Sequence, residues 1–223
     1  MAPLLWADLT SKWNTSVYVV DASEWGVGAC RADLPLFDVQ RLGRMNERWR
    51  FRSEAAILGA RGHTALAAGS SLIGVTGDVV ERLRVTQMRR LAEQQGGCER
   101  RPAAEWEGVA PALLDRDWRV VGRKEWSKQE TMPVLEARGV LYAVKHGLRT
   151  LANHGTRLVV LGDSLSAAGD ISKGRGQARG LLRVAQQLGA LLLSTGTQLR
   201  YRWIPSERNP SDGPSRGWWR RLN

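Results

Sequence analysis

Four carboxylates stand where a carboxylate is hard to explain. Asp21 closes the apolar run VYVVD, and Asp163 closes RLVVLGD, so both sit at the ends of segments that read as buried strands. Glu136, in MPVLEARGVLYAV, falls in what reads as the first turn of a long helix, and Asp212 opens the last helical segment, SDGPSR. A charge at the end of a buried strand is costly unless something pairs with it. Two neighbouring strands that both end in Asp would set like charges side by side, each raising the other's pKa. A divalent cation reverses that sign. With two Cys and three His in the whole chain, hard oxygen donors favour magnesium, with manganese as the alternative, over zinc. Singly, each acid has a plainer reading: Glu136 as a helix-start residue favoured by the macrodipole, Asp212 as a cap, Asp163 as a turn residue. Together, at strand ends and helix starts, they ask for a common explanation.

The elements that would position them are legible in outline. Residues 17–22 read as a buried strand, and Gly26 and Gly28 fit a tight turn into a second strand through Ala29 and Cys30. A third strand is predicted from Trp118 to Arg123. A long helix follows, with Thr131 as cap, Pro133 in its first turn, and Val140, Leu141, Val144, Leu148 and Leu151 at helical spacing. RLVVLGDS reads as the fourth strand, GQARGLLRVAQQLGALLLSTG as an apolar helix, and LRYRWIPS as the fifth strand. Three strands joined in sequence, then strands separated by helices, indicate an α/β fold: a mixed five-stranded sheet with helices packed on it. From Arg31 to Asp117 the signals weaken. GDVVERLRVTQMRRLAEQQGG reads as a helix whose polar face carries Arg82, Arg84, Arg89 and Arg90, either a solvated face or a phosphate-contacting arm. The expected organisation is a leader over 1–16 and a domain over 17–216. That domain is interrupted by an insertion over 32–116, and a basic tail follows over 217–223.

Composition points the same way. The 223 residues carry 33 Lys and Arg against 22 Asp and Glu, a net charge of +11 and a pI near 10.7. That favours a polyanionic partner, of which nucleic acid is the commonest; the alternative is a charge that only solvates the surface. A hydrophobic content of 43% suits a globular core, and no apolar run has the length of a membrane span. Two cysteines make no disulfide framework. The first residues lack the pattern of a signal peptide, so a reducing, cytoplasmic or nuclear setting is expected. The ten Trp read mostly as core or strand residues.

The stretches VVDASEWGVGA, MPVLEARGVLYAV, LVVLGDSLSA and WIPSERNPSDGPSR, with acids in the order D, E, D, D, resemble the ribonuclease H family. The resemblance is to the ribonuclease H domain of retrotransposon reverse transcriptases, DIRS-like and Ty3-like, and it spans residues 1–31 and 117–217. It implies a ribonuclease H-like fold and two-metal hydrolysis of the RNA strand of an RNA–DNA hybrid, leaving a 5′-phosphate and a 3′-hydroxyl. By the same resemblance two magnesium ions are the cofactors. Asp21 bridges them, Asp212 holds the ion on the nucleophile side, and Glu136 and Asp163 hold the other. A reverse-transcriptase polymerase domain is an implied partner. Because this sequence contains no polymerase motif, we expect a fragment, a processed product or a stand-alone copy. The family's cellular members carry a His before the last Asp; IPSERNP has none, and His63, His146 and His154 are not read as catalytic.

Small residues at Ala22, Ser23 and Gly26 would let a sugar-phosphate backbone approach and meet ribose 2′-hydroxyls. Asn209 is a candidate minor-groove contact or, equally, a turn residue before Pro210. Lys173, Arg175 and Arg179, with Arg157, are candidate phosphate contacts that would bind without regard to sequence. Two other classes compete. An integrase or transposase would present D, D and then E, an order this chain does not follow. A catalytically inactive ribonuclease H-like module that binds nucleic acid or supports a polymerase is the principal alternative.

Overall fold

The computed structural model describes residues 10–47, 50, 107–174 and 178–217. Its five strands are β1 (Ser16–Ala22), β2 (Gly26–Asp33), β3 (Arg119–Glu125), β4 (Arg157–Gly162) and β5 (Gln198–Trp203), in one sheet of order β3-β2-β1-β4-β5. The first three meander antiparallel, and β4 and β5 join in parallel. The described α-helices are α1 (Leu36–Arg44), α2 (Pro111–Leu114), α3 (Met132–Gly147), α4 (Leu165–Lys173), α5 (Arg179–Thr195) and α6 (Asp212–Ser215). The mixed α/β sheet expected from the sequence is present.

β1 and β4 read as unbroken apolar runs because both their faces are covered. On one face Tyr18, Val20 and Val160 pack with Val140 and Val144 of α3 and Val184 and Leu188 of α5. On the other, Val17, Val19, Val159 and Leu161 pack with Val39 and Leu42 of α1 and Leu113 and Leu114 of α2. Each such side chain, removed from water, stabilises the fold by roughly 1.5–3 kcal/mol. These two strands are therefore the most firmly held part of the sheet. Before β1 the chain already pairs with the start of β4: Arg157 N–H donates to Lys12 O at 2.7 Å, Asn14 N–H donates to Arg157 O at 3.0 Å, and the Arg157 guanidinium lies 5.1 Å over the Trp13 ring.

The structure departs from the expected elements in four places. Between β4 and β5 there are two helices, not one: Ser164 caps α4 by accepting the Ala167 N–H at 3.0 Å, and Gly174, at φ +64°, stops it. The third strand begins at Arg119 and runs on to Glu125. Both flanks of the span expected to be inserted, 32–116, are ordered elements on the sheet: β2 continues to Asp33, α1 follows, and α2 precedes β3. Glu136 lies one position beyond the first turn of α3, because Thr131 is the cap and Met132 the first helical residue; the macrodipole therefore does not account for it. The Arg-rich helix predicted over 77–97 and the tail from 218 onward lie outside the described residues.

One buried ion pair closes the α1 face. Arg202 of β5 is 1% exposed; its Nε donates to Glu47 Oε1 at 2.9 Å and its other nitrogens donate to Leu42 O, at 2.8 Å, and to Glu107 O. Glu47 Oε1 also accepts the Trp203 N–H at 2.9 Å. A buried pair adds little net stability when intact, but removing one partner strands the other. Arg202→Met is expected to lower the unfolding free energy by about 3–5 kcal/mol, read as a shift in the urea midpoint, with most of the loss recovered in the Arg202→Met/Glu47→Leu double variant. An unchanged midpoint in the single variant would contradict this role.

Candidate active site

The register of β1 with β4 sets the site. Val20 lies opposite Gly162, so one step further along the same parallel ladder come Asp21 and Asp163, on strands about 4.8 Å apart. Both have the parity of Val19 and Leu161 and so share a face. Glu136 enters from α3 and Asp212 from α6, and all four acids line one open cleft of about 590 Å³ with Ala22, Ser23, Glu24, Trp25, Met132 and Arg216. The structure thus brings together residues up to 191 positions apart.

Each carboxylate has a short-range partner. Asp21, 8% exposed, accepts a hydrogen bond from Ser215 Oγ through Oδ2. Glu136 Oε2 accepts from Ser164 Oγ at 2.5 Å and Ser166 Oγ at 3.2 Å. Asp212 Oδ1 accepts from Arg216 Nε at 2.7 Å. Asp163 is hydrogen-bonded by the Asn209 amide, and its main-chain carbonyl accepts Trp203 Nε1–H at 2.7 Å.

These contacts do not neutralise the cluster. Burial, and then the charges of Asp21 and Glu136, push the Asp163 carboxyl up to about 6, with the Asn209 hydrogen bond pulling the other way. Asp21 is also raised, first by burial and then by Asp212, against the Ser215 hydrogen bond. The cleft is therefore a place where negative charge is held against its own repulsion.

Among the described residues, no three His, Cys, Asp or Glu side chains close into a ready-made metal cage; their oxygens are turned instead to Ser215, Ser164, Ser166 and Arg216. The donor set nevertheless fits a hard divalent cation. It is all carboxylate, contains no His or Cys, and carries a repulsion that a cation relieves.

The hairpin after Asp21 is built to be close and rigid. Ser23 N–H donates to Gly26 O at 2.9 Å, and Ser23 Oγ donates to Ser215 O at 2.7 Å, tying the turn to α6. A Cβ on Gly26 would lie 2.6 Å from Lys124 O, and one on Gly28 would lie 2.7 Å from both Ser211 O and Ser215 N. Glycine at 28 is what lets α6, with Asp212 and Arg216, lie on β2.

The other predicted residues fall into distinct places. Ala22 and Ser23 line the acid cleft, and Gly26 lines the groove beside it. Asn209 is 7% exposed: its amide donates to Val20 O at 3.2 Å and its Oδ1 accepts the Ser211 N–H at 2.9 Å, so it braces the strand end and Asp163 from within. Lys173 is the last residue of α4 and Arg179 the exposed first residue of α5. Arg179 is not among the residues lining the acid cleft, and the Lys173 side chain and Arg175 lie outside the described residues. Arg157 begins β4, at the opposite end of the strand from Asp163.

Sequence reasoning did not single out Ser215, Arg216, Ser164 or Ser166. The Asp212–Arg216 pair carries a signal, the i, i+4 spacing of opposite charges. Ser215 carries none, since its partner lies 194 positions away.

Raised carboxyls have a testable sign. Asp163 titrates near 6 in the fold against an ordinary 3.8, so its favourable contribution is full below the lower value and lost as pH rises through the upper. Without divalent cations, Asp163→Asn should match the wild type in thermal midpoint near the lower pH and exceed it at neutral pH, by about 2–4 °C for each kcal/mol of repulsion removed. Magnesium should narrow the gap. A pH-independent difference would rule this account out.

No family model matches the chain, and no curated protein matches it in sequence. Among solved structures, the N-terminal RNase H domain of rv2228c from Mycobacterium tuberculosis, solved as a fusion protein with maltose binding protein, aligns over 47% of this chain and 78% of that one, at 19% identity and a TM-score of 0.35.

Proposed function

We propose that the chain is a ribonuclease H-like nuclease that hydrolyses the RNA strand of RNA–DNA hybrids. The observation that carries this reading is the cleft itself: Asp21, Glu136, Asp163 and Asp212, from two strands and two helices, line one opening in the D, E, D, D order of the sequence resemblance. The element order, three antiparallel strands and then alternating helices and parallel strands, is what that resemblance implies. The net charge of +11 suits a polyanionic substrate.

In this reading all four carboxylates hold two magnesium ions, with manganese as a substitute. When bound, the ions supply an activated water and a positive charge opposite the leaving 3′ oxygen. The chain's own part is positional. The doubly covered β1 and β4 fix Asp21 and Asp163, Ser215 and Asn209 orient them, and Ser164 orients Glu136 from the cap of α4. Arg216, held by Asp212 at 2.7 Å, brings a guanidinium to the rim where a phosphate would enter. Ala22, Ser23 and Gly26 leave room for the sugar-phosphate backbone. We further propose a retrotransposon reverse transcriptase as the origin, its polymerase domain as a partner, and a cytoplasmic or nuclear site of action. Among the described residues no helix is long and apolar enough to cross a membrane.

The test is cleavage of an end-labelled hybrid in magnesium, alongside double-stranded DNA and RNA of the same sequence. Only the RNA of the hybrid should be cut. Asp21→Asn should lower the rate by about 10²–10³-fold, the range for removing one electrostatic stabiliser of a transition state, with an unchanged circular dichroism spectrum. Hybrid binding without cleavage by the wild type, in magnesium and in manganese, would replace the nuclease with a nucleic-acid-binding module.

A further inference from the structure

Trp25 stands at the tip of the β1–β2 hairpin with 71% of its surface exposed, and nothing in the four-carboxylate cleft calls for it. Its backbone is fixed on both sides. The Trp25 N–H donates to Ser23 Oγ at 3.2 Å, and its carbonyl accepts the Trp126 N–H at 3.2 Å. Ser23 is itself held by Trp126 Nε1, which donates to its carbonyl at 2.9 Å, and by its own bond to Ser215 O. A fixed backbone thus presents a large apolar ring to water, where it contributes little to the stability of the fold.

The ring stands between two openings. It lines the acid cleft, and it also lines the adjoining groove of about 820 Å³, whose walls include Arg123, Lys124, Trp126 and Arg216, with Glu24 and Glu125. Phe37 and Leu151 are as exposed, at 70% and 79%, but line neither opening. Glu24, Trp25 and Arg216 line both openings, and of these Trp25 offers the one large apolar surface.

We propose that Trp25 is a substrate-contacting residue that lies against the sugar edges in the minor groove of an A-like duplex and so favours a hybrid over B-form DNA. This rests on the nucleic-acid reading above and names a residue that sets its specificity. Inside a duplex the base faces are covered by their neighbours, so a ring arriving from outside meets a groove and not a base. The B-form minor groove is about 6 Å wide, too narrow for an indole with its hairpin behind it. The A-form minor groove is wide and shallow and displays sugars and 2′-hydroxyls, a surface against which a flat ring buries apolar area. The ring is uncharged, so it releases no counterions, and its contribution does not depend on salt.

The experiment measures binding of labelled hybrid and same-sequence DNA duplex by fluorescence anisotropy, in the full chain carrying Asp21→Asn so that substrate survives. Adding Trp25→Ala should weaken hybrid binding by about tenfold, the size of loss expected when one apolar contact surface is removed. DNA binding, the thermal midpoint and the slope of log Kd against log salt should not change, and Trp25→Phe should retain most of the affinity. Equal weakening on both duplexes, no weakening, or no preference for hybrid in the parent would overturn the proposal. The two readings separate cleanly. A wild type that prefers hybrid through Trp25 yet never cuts it refutes the nuclease and keeps Trp25. A wild type that cuts hybrid, with a Trp25→Ala variant of unchanged KM, does the reverse.

Discussion

Parallel pairing of β1 with β4 sets two carboxylates on adjacent strand ends, and much of the molecule follows from what that pairing demands. The register that places Val20 beside Gly162 leaves Asp21 and Asp163 no freedom to part, because each extends a strand covered on both faces. Their repulsion cannot relax by moving the backbone and must be met locally. Ser215 and Asn209 meet part of it, as hydroxyl and amide donors that keep the charges oriented without cancelling them. A salt bridge to either strand-end Asp would instead cancel its charge and occupy its oxygens with a fixed cation, at little net gain in stability.

The arrangement also explains why the site draws on four elements and not on one loop. Only the two strand ends are rigid enough to define its floor. The remaining acids come from helices whose positions are read off the same sheet: α3 packs its Val140–Val144 stripe on β1 and β4, and α6 rests on the bare backbone of Gly28. A displacement of either helix would change the spacing of Glu136 or Asp212 from the strand pair, so core packing and site geometry are one constraint. Buried Ser211, which donates to Val19 O at 2.8 Å, shows how closely that last turn is stitched to β1.

The strands and the four acids were legible in the sequence because their signals are local: apolar runs that stop on Asp, a capped helix, an acid at a helix start. What escaped was set by tertiary contact. The nine-residue α4 contains Gly169, which weakens its helical signal, and it stands on the Ser164 cap and on packing. The helices α1 and α2 are too short to be stable alone; their apolar residues acquire meaning only against Val17, Val159 and Ile204. Ser215 is an ordinary serine until the chain returns to Asp21. The ten tryptophans read only collectively, as mostly core or strand, because composition cannot say which aromatic ring a hairpin turns outward.

Arg202 joins two points of the chain that lie far apart in sequence. Its guanidinium touches Leu42 O and Glu47 before residue 48 and Glu107 O after residue 106, so the chain departs from the sheet and returns to it at a single side chain. A sheet whose exit and entry are clamped together depends only weakly on the length of what is strung between them, since the closure entropy of a loop grows with the logarithm of its length. A chain in which 47 is joined directly to 107 would keep every residue that Arg202 bonds here.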